Sequence, residues 1–341
     1  MTSTIHDVAA LSGTSIATVS RTLNDPSKVR DTTRERVLSA VKALNFRPNL
    51  VGRQLRNERT GLIGVMLPDV LNPVFGECMQ GIEESAAASG RRVVLMTTRY
   101  DPDRESYAVD TLLSQRVEGL ILTVANADAS PILEELKRSG VPYQLAYNHS
   151  SHHPCVCVDN RAAARDAVAL LLARGHRRVR MLSGSRTASD RAVQRYLGYC
   201  DALAQAGIRP LPPLEIDFGS LRLSAPVLRR LTDARSRPTA LFCGNDQLAL
   251  VVMRSLRDAG IRVPEDISVI GFDGLVIGEL LTPALATVCQ PNRDIGVEAW
   301  RLLEIALKGG LSQSTVLPYR LREAGTVVTF PSPPPQQESS S

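Results

Sequence analysis

The chain has 341 residues, 43% of them apolar and 22% charged, enough for two or three folded units with ordinary hydrophobic cores. Its formal charge of +5 is unevenly placed: residues 1–60 hold ten Lys/Arg and five Asp/Glu, so the other 281 residues carry thirty of each. Basic charge confined to one short module is the footprint expected of a nucleic-acid binder, although basic N-termini are also common on proteins that bind nothing acidic. No window reaches the roughly 18 apolar residues that span a bilayer, and residues 1–13, with Asp7 and no apolar run, exclude a signal peptide. A cytoplasmic protein without a membrane partner is expected, and its six scattered cysteines read as reduced thiols rather than a disulfide framework.

In chain order, Thr4 with Asp7 three residues on has the form of a capping box, and Ile5, Val8 and Leu11 recur at helical spacing until Gly13. A second start signal stands at Ser15, after which Val19 and Leu23 share a face until Asn24, Asp25 and Pro26 end the run. The spacing predicts a third helix from near Thr32, with Glu35 completing a second capping box, through Val37, Val41 and Leu44 to the break at Pro48. Three short helices with a tight glycine turn between the first two describe a helix-turn-helix unit, or equally a generic three-helix bundle.

The residues decide between these by a resemblance. Thr4-Ile5-His6-Asp7-Val8-Ala9, Ala17-Thr18-Val19-Ser20-Arg21-Thr22-Leu23-Asn24, Thr33-Arg34-Glu35-Arg36-Val37 and Asn45-Phe46-Arg47-Pro48-Asn49 resemble, in order, the headpiece of the LacI/GalR family of transcriptional regulators. The resemblance implies that Ile16, Ala17 and Arg21 face base edges in the major groove. It implies that Thr14, Ser15, Thr18 and Ser20 position phosphates or support the turn, and that Asn24 forms the following turn with phosphate contacts. Arginine suits guanine bidentately, and an apolar side chain suits the thymine methyl.

Residues 48–60 form the next piece. Asn49-Leu50-Val51-Gly52-Arg53-Gln54-Leu55-Arg56 is about two helical turns, too short to be stable alone. Composition alone describes a basic linker; the resemblance implies a hinge helix that orders on DNA, with Leu55 wedging the minor groove and Asn49 and Arg56 beside it. Gly52 costs such a helix about 1 kcal/mol of propensity.

From Leu62 onward short apolar runs alternate with amphipathic helices: 62–67, a helix over 73–89, 93–97, a helix over 106–114, 120–124, then runs at 178–182, 240–243 and 267–271. This alternation predicts βαβ units and parallel sheets, in two halves. The resemblance continues as a type 1 periplasmic-binding-protein fold, so the expected whole is an α helix-turn-helix headpiece (residues 1–47), a hinge (48–60), an α/β two-lobed sensor (61–330) and a disordered tail (331–341).

Ligands in such sheets sit beyond the carboxyl ends of strands. Motifs resembling the family's lie there: Leu71-Asn72-Pro73-Val74-Phe75, Arg195-Tyr196-Leu197-Gly198-Tyr199, Asp217-Phe218, Cys243-Gly244-Asn245-Asp246 and Gly271-Phe272-Asp273. They make Phe75, Arg195, Phe218, Asn245, Asp246 and Asp273 candidate effector contacts, with Arg191 and Asn148 as weaker ones. Taken singly, Asn245 or Asp246 reads as a helix cap and Phe75 as core. Carboxylates suit a hydroxyl-rich sugar, whereas the arginines suit an acid or phosphate; the sequence leaves both open.

His152-His153-Pro154-Cys155-Val156-Cys157 offers the N and S donors zinc prefers, but Cys-x-Cys in a strand sets both thiols on one side, unlike a zinc knuckle, and no metal or other cofactor is expected. No nucleophile elbow, phosphate loop or His-Glu-x-x-His run argues for an enzyme. A solute-binding protein would use the same pocket but needs an export signal and no headpiece. The reading is a repressor that binds a palindromic double-stranded operator as a homodimer, one headpiece covering too few bases alone, under control of a small polar effector acting as inducer or corepressor. The tail lacks the leucine heptads of a tetramerising segment.

Overall fold

The computed structural model describes residues 3–46, 60–185, 189–216 and 222–331. The expectations for Asn49, Leu55, Arg56 and Phe218, and for nearly all of the tail, fall outside them. The chain divides into two compact units, Met1–Thr60 and Gly61–Ser341.

The first unit is built on three helices, α1 (Ile5–Ser12), α2 (Ile16–Asn24) and α3 (Asp31–Ala43). The capping box of α1 is complete: Thr4 N donates to Asp7 Oδ2 at 2.7 Å, and Asp7 N donates to Thr4 Oγ1. Gly13 closes α1 at φ 60°, a left-handed position that glycine takes without steric cost and that lets the chain turn at once into Ser15, the cap of α2. The second expected capping box does not form. A single 3-10 turn over Pro26–Lys28 brings the chain to Arg30, which becomes the residue before α3, so Thr32 lies inside the helix. Asp31 occupies the first turn instead, where the helix dipole favours a negative charge, and pairs with Arg34 at 2.8 Å. Val8, Ala9, Val19, Val37 and Ala40 fill the small core, with Ile5, Leu23 and Phe46 packed at its edge.

The second unit contains two six-stranded sheets. In the first lobe, β1 (Leu62–Leu67), β2 (Arg92–Thr97), β3 (Gly119–Leu122), β4 (Tyr143–Ala146) and β5 (Cys155–Cys157) are parallel, interleaved with α4 (Pro73–Ala88), α5 (Pro102–Ser114) and α6 (Pro131–Ser139). The second lobe repeats the pattern with α7 (Asn160–Ala173), β6 (Val179–Ser183), α8 (Asp190–Gln205), β7 (Leu214–Glu215), α9 (Ala225–Thr232), β8 (Ala240–Cys243), α10 (Asp246–Asp258), β9 (Ser268–Asp273) and β10 (Ala286–Cys289). Strand order is β11-β5-β4-β3-β1-β2 in one sheet and β12-β10-β9-β8-β6-β7 in the other.

The chain crosses between lobes three times. It leaves after β5, returns after β10 into α11 (Asn292–Leu307), and crosses again between β11 (Thr315–Val316), which pairs with β5, and β12 (Arg320–Arg322), which pairs antiparallel with β10. α11 is claimed by the first lobe because Ile295, Ala299, Trp300 and Leu303 bury into the same core as Ile63, Val65, Phe75 and Ile121. Strands buried on both faces read as continuous apolar runs, so their limits were visible in the sequence: β1 and β8 occupy the residues expected of them. Parallel strands put all their carboxyl ends on one side, and in both lobes those ends carry the polar residues of the cleft.

Candidate functional site

In the small unit, α2 has two unlike faces. Val19 and Thr22 are buried, whereas Ile16, Ala17 and Arg21 are exposed, with Ile16 41% accessible although it is a large apolar side chain. Residues 16, 17, 20 and 21 recur at helical spacing, so these exposed groups form one strip with Ser20 at its edge. The hydroxyls around the turn are tied to one another: Ser15 accepts from Thr18 N and lies 2.9 Å from Thr18 Oγ1, and Thr14 Oγ1 is 2.8 Å from Ser12 Oγ. These bonds fix how α2 leaves the turn, while the strip itself makes no contribution to the core. Asn24 ends α2.

In the large unit, the strand ends gather most of the residues singled out from sequence. Arg195, on the second turn of α8, is buried and heavily engaged: Nε donates to Asn160 Oδ1 at 2.9 Å, Nη1 donates to the Gly244 carbonyl at 2.5 Å and stands 3.5 Å from Asp273 Oδ1. Its guanidinium rests on the Phe272 ring, 3.7 Å from the centroid. Asp273 ends β9 at φ 125°, an unusual conformation that points to over-determined surroundings. Gln290 Nε2 donates to its Oδ1 at 2.9 Å. Burial pushes the Asp273 carboxyl up to about 7, although Arg195 works against it.

Asp246 sits next to this pair but is spent on structure. Oδ2 accepts from Gly274 N at 2.9 Å and Leu275 N at 2.7 Å, and Oδ1 accepts from Thr287 at 2.6 Å, so one carboxylate ties the ends of β8, β9 and β10 together. Burial raises it to about 6 against the pull of those donors. Asn245 caps α10 by accepting from Leu248 N at 2.8 Å. The cap role that sequence alone offered for Asn245 is therefore filled.

On the first lobe, Phe75 is buried and packs edge-on against Tyr147, 5.5 Å between centroids at 86°. Asn148 is fully buried; its amide bonds both backbone groups of Val124 and donates to Asp190 Oδ2 at 2.7 Å. Arg191 bonds Asp190 at 2.9 Å and the Val124 carbonyl at 3.2 Å, with its guanidinium 5.4 Å from the centroid of the Tyr100 ring.

Three participants were missed from sequence: Tyr100, Asp190 and Gln290. The strand-end rule applied to β2 points to Tyr100, which lies three residues past Thr97 with φ 60°. Asp190 and Gln290 carry no local signal beyond their neighbours Arg191 and Asn292. Among the described residues no three His, Cys, Asp or Glu side chains group to hold a metal. His153 instead bonds the Tyr143 hydroxyl at 2.7 Å, and Cys155 lies 3.6 Å from both the Ser150 carbonyl and Ser314 Oγ.

A two-faced helix after a glycine turn and a two-lobed sheet pair with polar strand ends are what the comparisons with known proteins also find. Residues 4–49 match the profile of bacterial regulatory proteins of the lacI family, and residues 60–309 match periplasmic binding proteins and the sugar binding domain of the LacI family. The chain belongs to the LacI family. It is a sequence-specific DNA-binding transcriptional regulator.

Among its relatives, catabolite control protein A of Priestia megaterium is 34% identical over 327 residues, covering 94% of this chain and 98% of that protein. The HTH-type transcriptional repressor CytR of Escherichia coli K12 is 33% identical, covering 90% of each. Among solved structures, the lac repressor dimer bound to operator and the anti-inducer ONPF has a TM-score of 0.84 at 30% identity, covering 96% of this chain and all of that one. The complex of the regulator CelR with cellobiose gives 0.69 at 28%, covering 95% and 99%. No helix among the described residues is long and apolar enough to cross a membrane.

Proposed function

We propose that this LacI-family regulator is a cytoplasmic, homodimeric repressor that binds a palindromic operator through α2 and releases or grips it in response to a small polar effector held between the lobes. It acts by binding and catalyses no reaction. The observation that carries the DNA reading is the strip of Ile16, Ala17 and Arg21, which the headpiece core leaves exposed while holding Val19 beneath it. Arg21 bonds a guanine edge, Ile16 and Ala17 meet thymine methyls, and Thr14, Ser15, Thr18, Ser20 and Asn24 place the helix against phosphates. Asn49, Leu55 and Arg56 supply the hinge contacts. The lac repressor neighbour, a dimer on its operator, supports the two-headed arrangement.

Effector contacts come from Phe75, Arg195 and Asp273, joined by Phe218, with Arg191, Asn148, Asn245 and Asp246 shaping the floor and rim. Both buried arginines already face carboxylates, Arg191 with Asp190 and Arg195 with Asp273. An anionic effector would have to compete with those acids, so a neutral, hydroxyl-rich molecule is favoured over an acid or phosphate. Nuclease footprinting on DNA flanking the gene is the test: a protected palindrome is expected, lost with Arg21→Ala. A thermal-shift screen of sugars, sugar acids, nucleosides and phosphorylated metabolites tests the effector, since a native-state ligand raises the melting temperature. Absence of any protected site overturns the DNA reading.

A further inference from the structure

We infer that Asp190 is a positioning residue that fastens the two lobes to each other, so that the geometry of the cleft is set in part by the chain's own contacts. The contact is concentrated in the first turn of α8. Asp190 N donates to the Ala125 carbonyl at 2.9 Å; its Oδ2 accepts from Asn148 Nδ2 at 2.7 Å and, at 3.4 Å, from Ala127 N. Its Oδ1 accepts from Arg191, whose other guanidinium nitrogen donates to the Val124 carbonyl and whose face lies over Tyr100. Tyr100, Val124, Ala125, Ala127 and Asn148 all follow strands of the first lobe, whereas Asp190 and Arg191 open a helix of the second.

Three features make this more than incidental surface contact. The groups are enclosed, with Asp190 and Arg191 side chains 17% and 7% accessible, so the charge-assisted bonds are little screened by water. Asn148 is pre-oriented, because its amide is already fixed to both backbone groups of Val124 and has one donor left for Asp190. The backbone amide of Asp190, at the first position of α8, has no acceptor within its own helix and depends on Ala125 of the other lobe.

The consequence for regulation follows from where the same helix carries Arg195, one turn beyond Arg191. A ligand that shifts Arg195 pulls on the turn that holds the lobes, and a change in the lobe contact moves Arg195. That link rests on the effector reading above; the fastening itself does not.

The test is hydrogen exchange on the full-length, ligand-free protein by mass spectrometry, with fragmentation that separates residue 190 from residue 192. The amide of residue 190 reports lobe separation, because its acceptor does not involve the Asp190 side chain. The amide of Ala192, held by the Ser189 hydroxyl at 3.2 Å, reports fraying of α8. In Asp190→Ala, exchange at residue 190 is expected to rise on the order of tenfold, with Ala192 unchanged. Asn148→Ala removes the same bond from the other lobe and is expected to do likewise, and the double variant to add little further. Unchanged exchange at residue 190, a parallel rise at Ala192, or fully additive effects would each overturn the assignment. A failed effector screen leaves this measurement untouched.

Discussion

Arg195 lies flat on Phe272, guanidinium carbon 3.7 Å from the ring centroid, and the two residues come from different elements, α8 and β9. A desolvated guanidinium over an aromatic face is worth about 2 kcal/mol, and loss of a buried ring adds packing cost. Phe272 is fully buried, so the platform cannot be replaced by water. Phe272→Leu is expected to lower stability by about 2–4 kcal/mol in urea unfolding, and to weaken effector binding by freeing the Arg195 side chain. A loss under 1 kcal/mol would show that the stacking contributes nothing beyond contact.

The acidic residues of the cleft give the protein a pH signature. Burial raises Asp273 to about 7 and Asp246 to about 6, above the value of about 4 for an unfolded aspartate. Between those limits the folded state keeps protons that the unfolded chain has released, so these two groups make stability fall as pH rises from about 4 to about 7. His153 and His176 oppose them over part of that window, because burial lowers their pKa and the unfolded chain takes up the protons. The decisive quantity is therefore a difference: between pH 5 and 8, the melting temperature of Asp273→Asn should fall less with rising pH than that of the wild type. Parallel curves by scanning calorimetry would mean that Asp273 is ionised throughout.

Gly271 is where backbone meets carboxylate. A Cβ at this position would stand 2.1 Å from Asp246 Oδ1, the oxygen that accepts from Thr287. Gly271→Ala must displace Asp246 and with it the bonds to Gly274 and Leu275, at an expected cost of about 1–3 kcal/mol. Thermal unfolding checks the size of the loss. A variant as stable as the wild type would show that the Asp246 junction is readily rearranged.

These residues also show where sequence was informative. Asp273 ends β9, and Phe75 and Arg195 lie in the opening turns of helices that follow β1 and β6; buried parallel strands announce themselves as apolar runs, so the place of these residues beyond the sheet was legible. What Asn148 and Asp246 do was not, because their partners lie 24 to 42 residues away along the chain. Arg191 looked like an available cation in sequence; its neighbour Asp190 pairs with it on the same helix, and the Val124 carbonyl engages it from the other lobe. In the headpiece the Thr4–Asp7 box formed and the Thr32–Glu35 pattern did not, since the 3-10 turn at Pro26–Lys28 hands the start of α3 to Arg30.

The headpiece prediction separates base reading from phosphate placement. Arg21 is exposed at the far end of the strip, and an arginine bidentate to guanine discriminates by about 1–3 kcal/mol per base pair. Arg21→Ala is expected to weaken operator binding roughly tenfold to a hundredfold and to level the preference at one base pair in each half-site. Ser15 behaves differently. Its hydroxyl caps α2 through Thr18 N at 3.1 Å, so Ser15→Ala should cost about 1 kcal/mol of headpiece stability and weaken all sequences alike, leaving the preference at every base pair intact. Binding titrations against the operator and its single-base variants, at fixed salt, distinguish the two. If Arg21→Ala weakens every sequence equally, Arg21 contacts phosphate and the base reading must pass to Ile16 and Ala17.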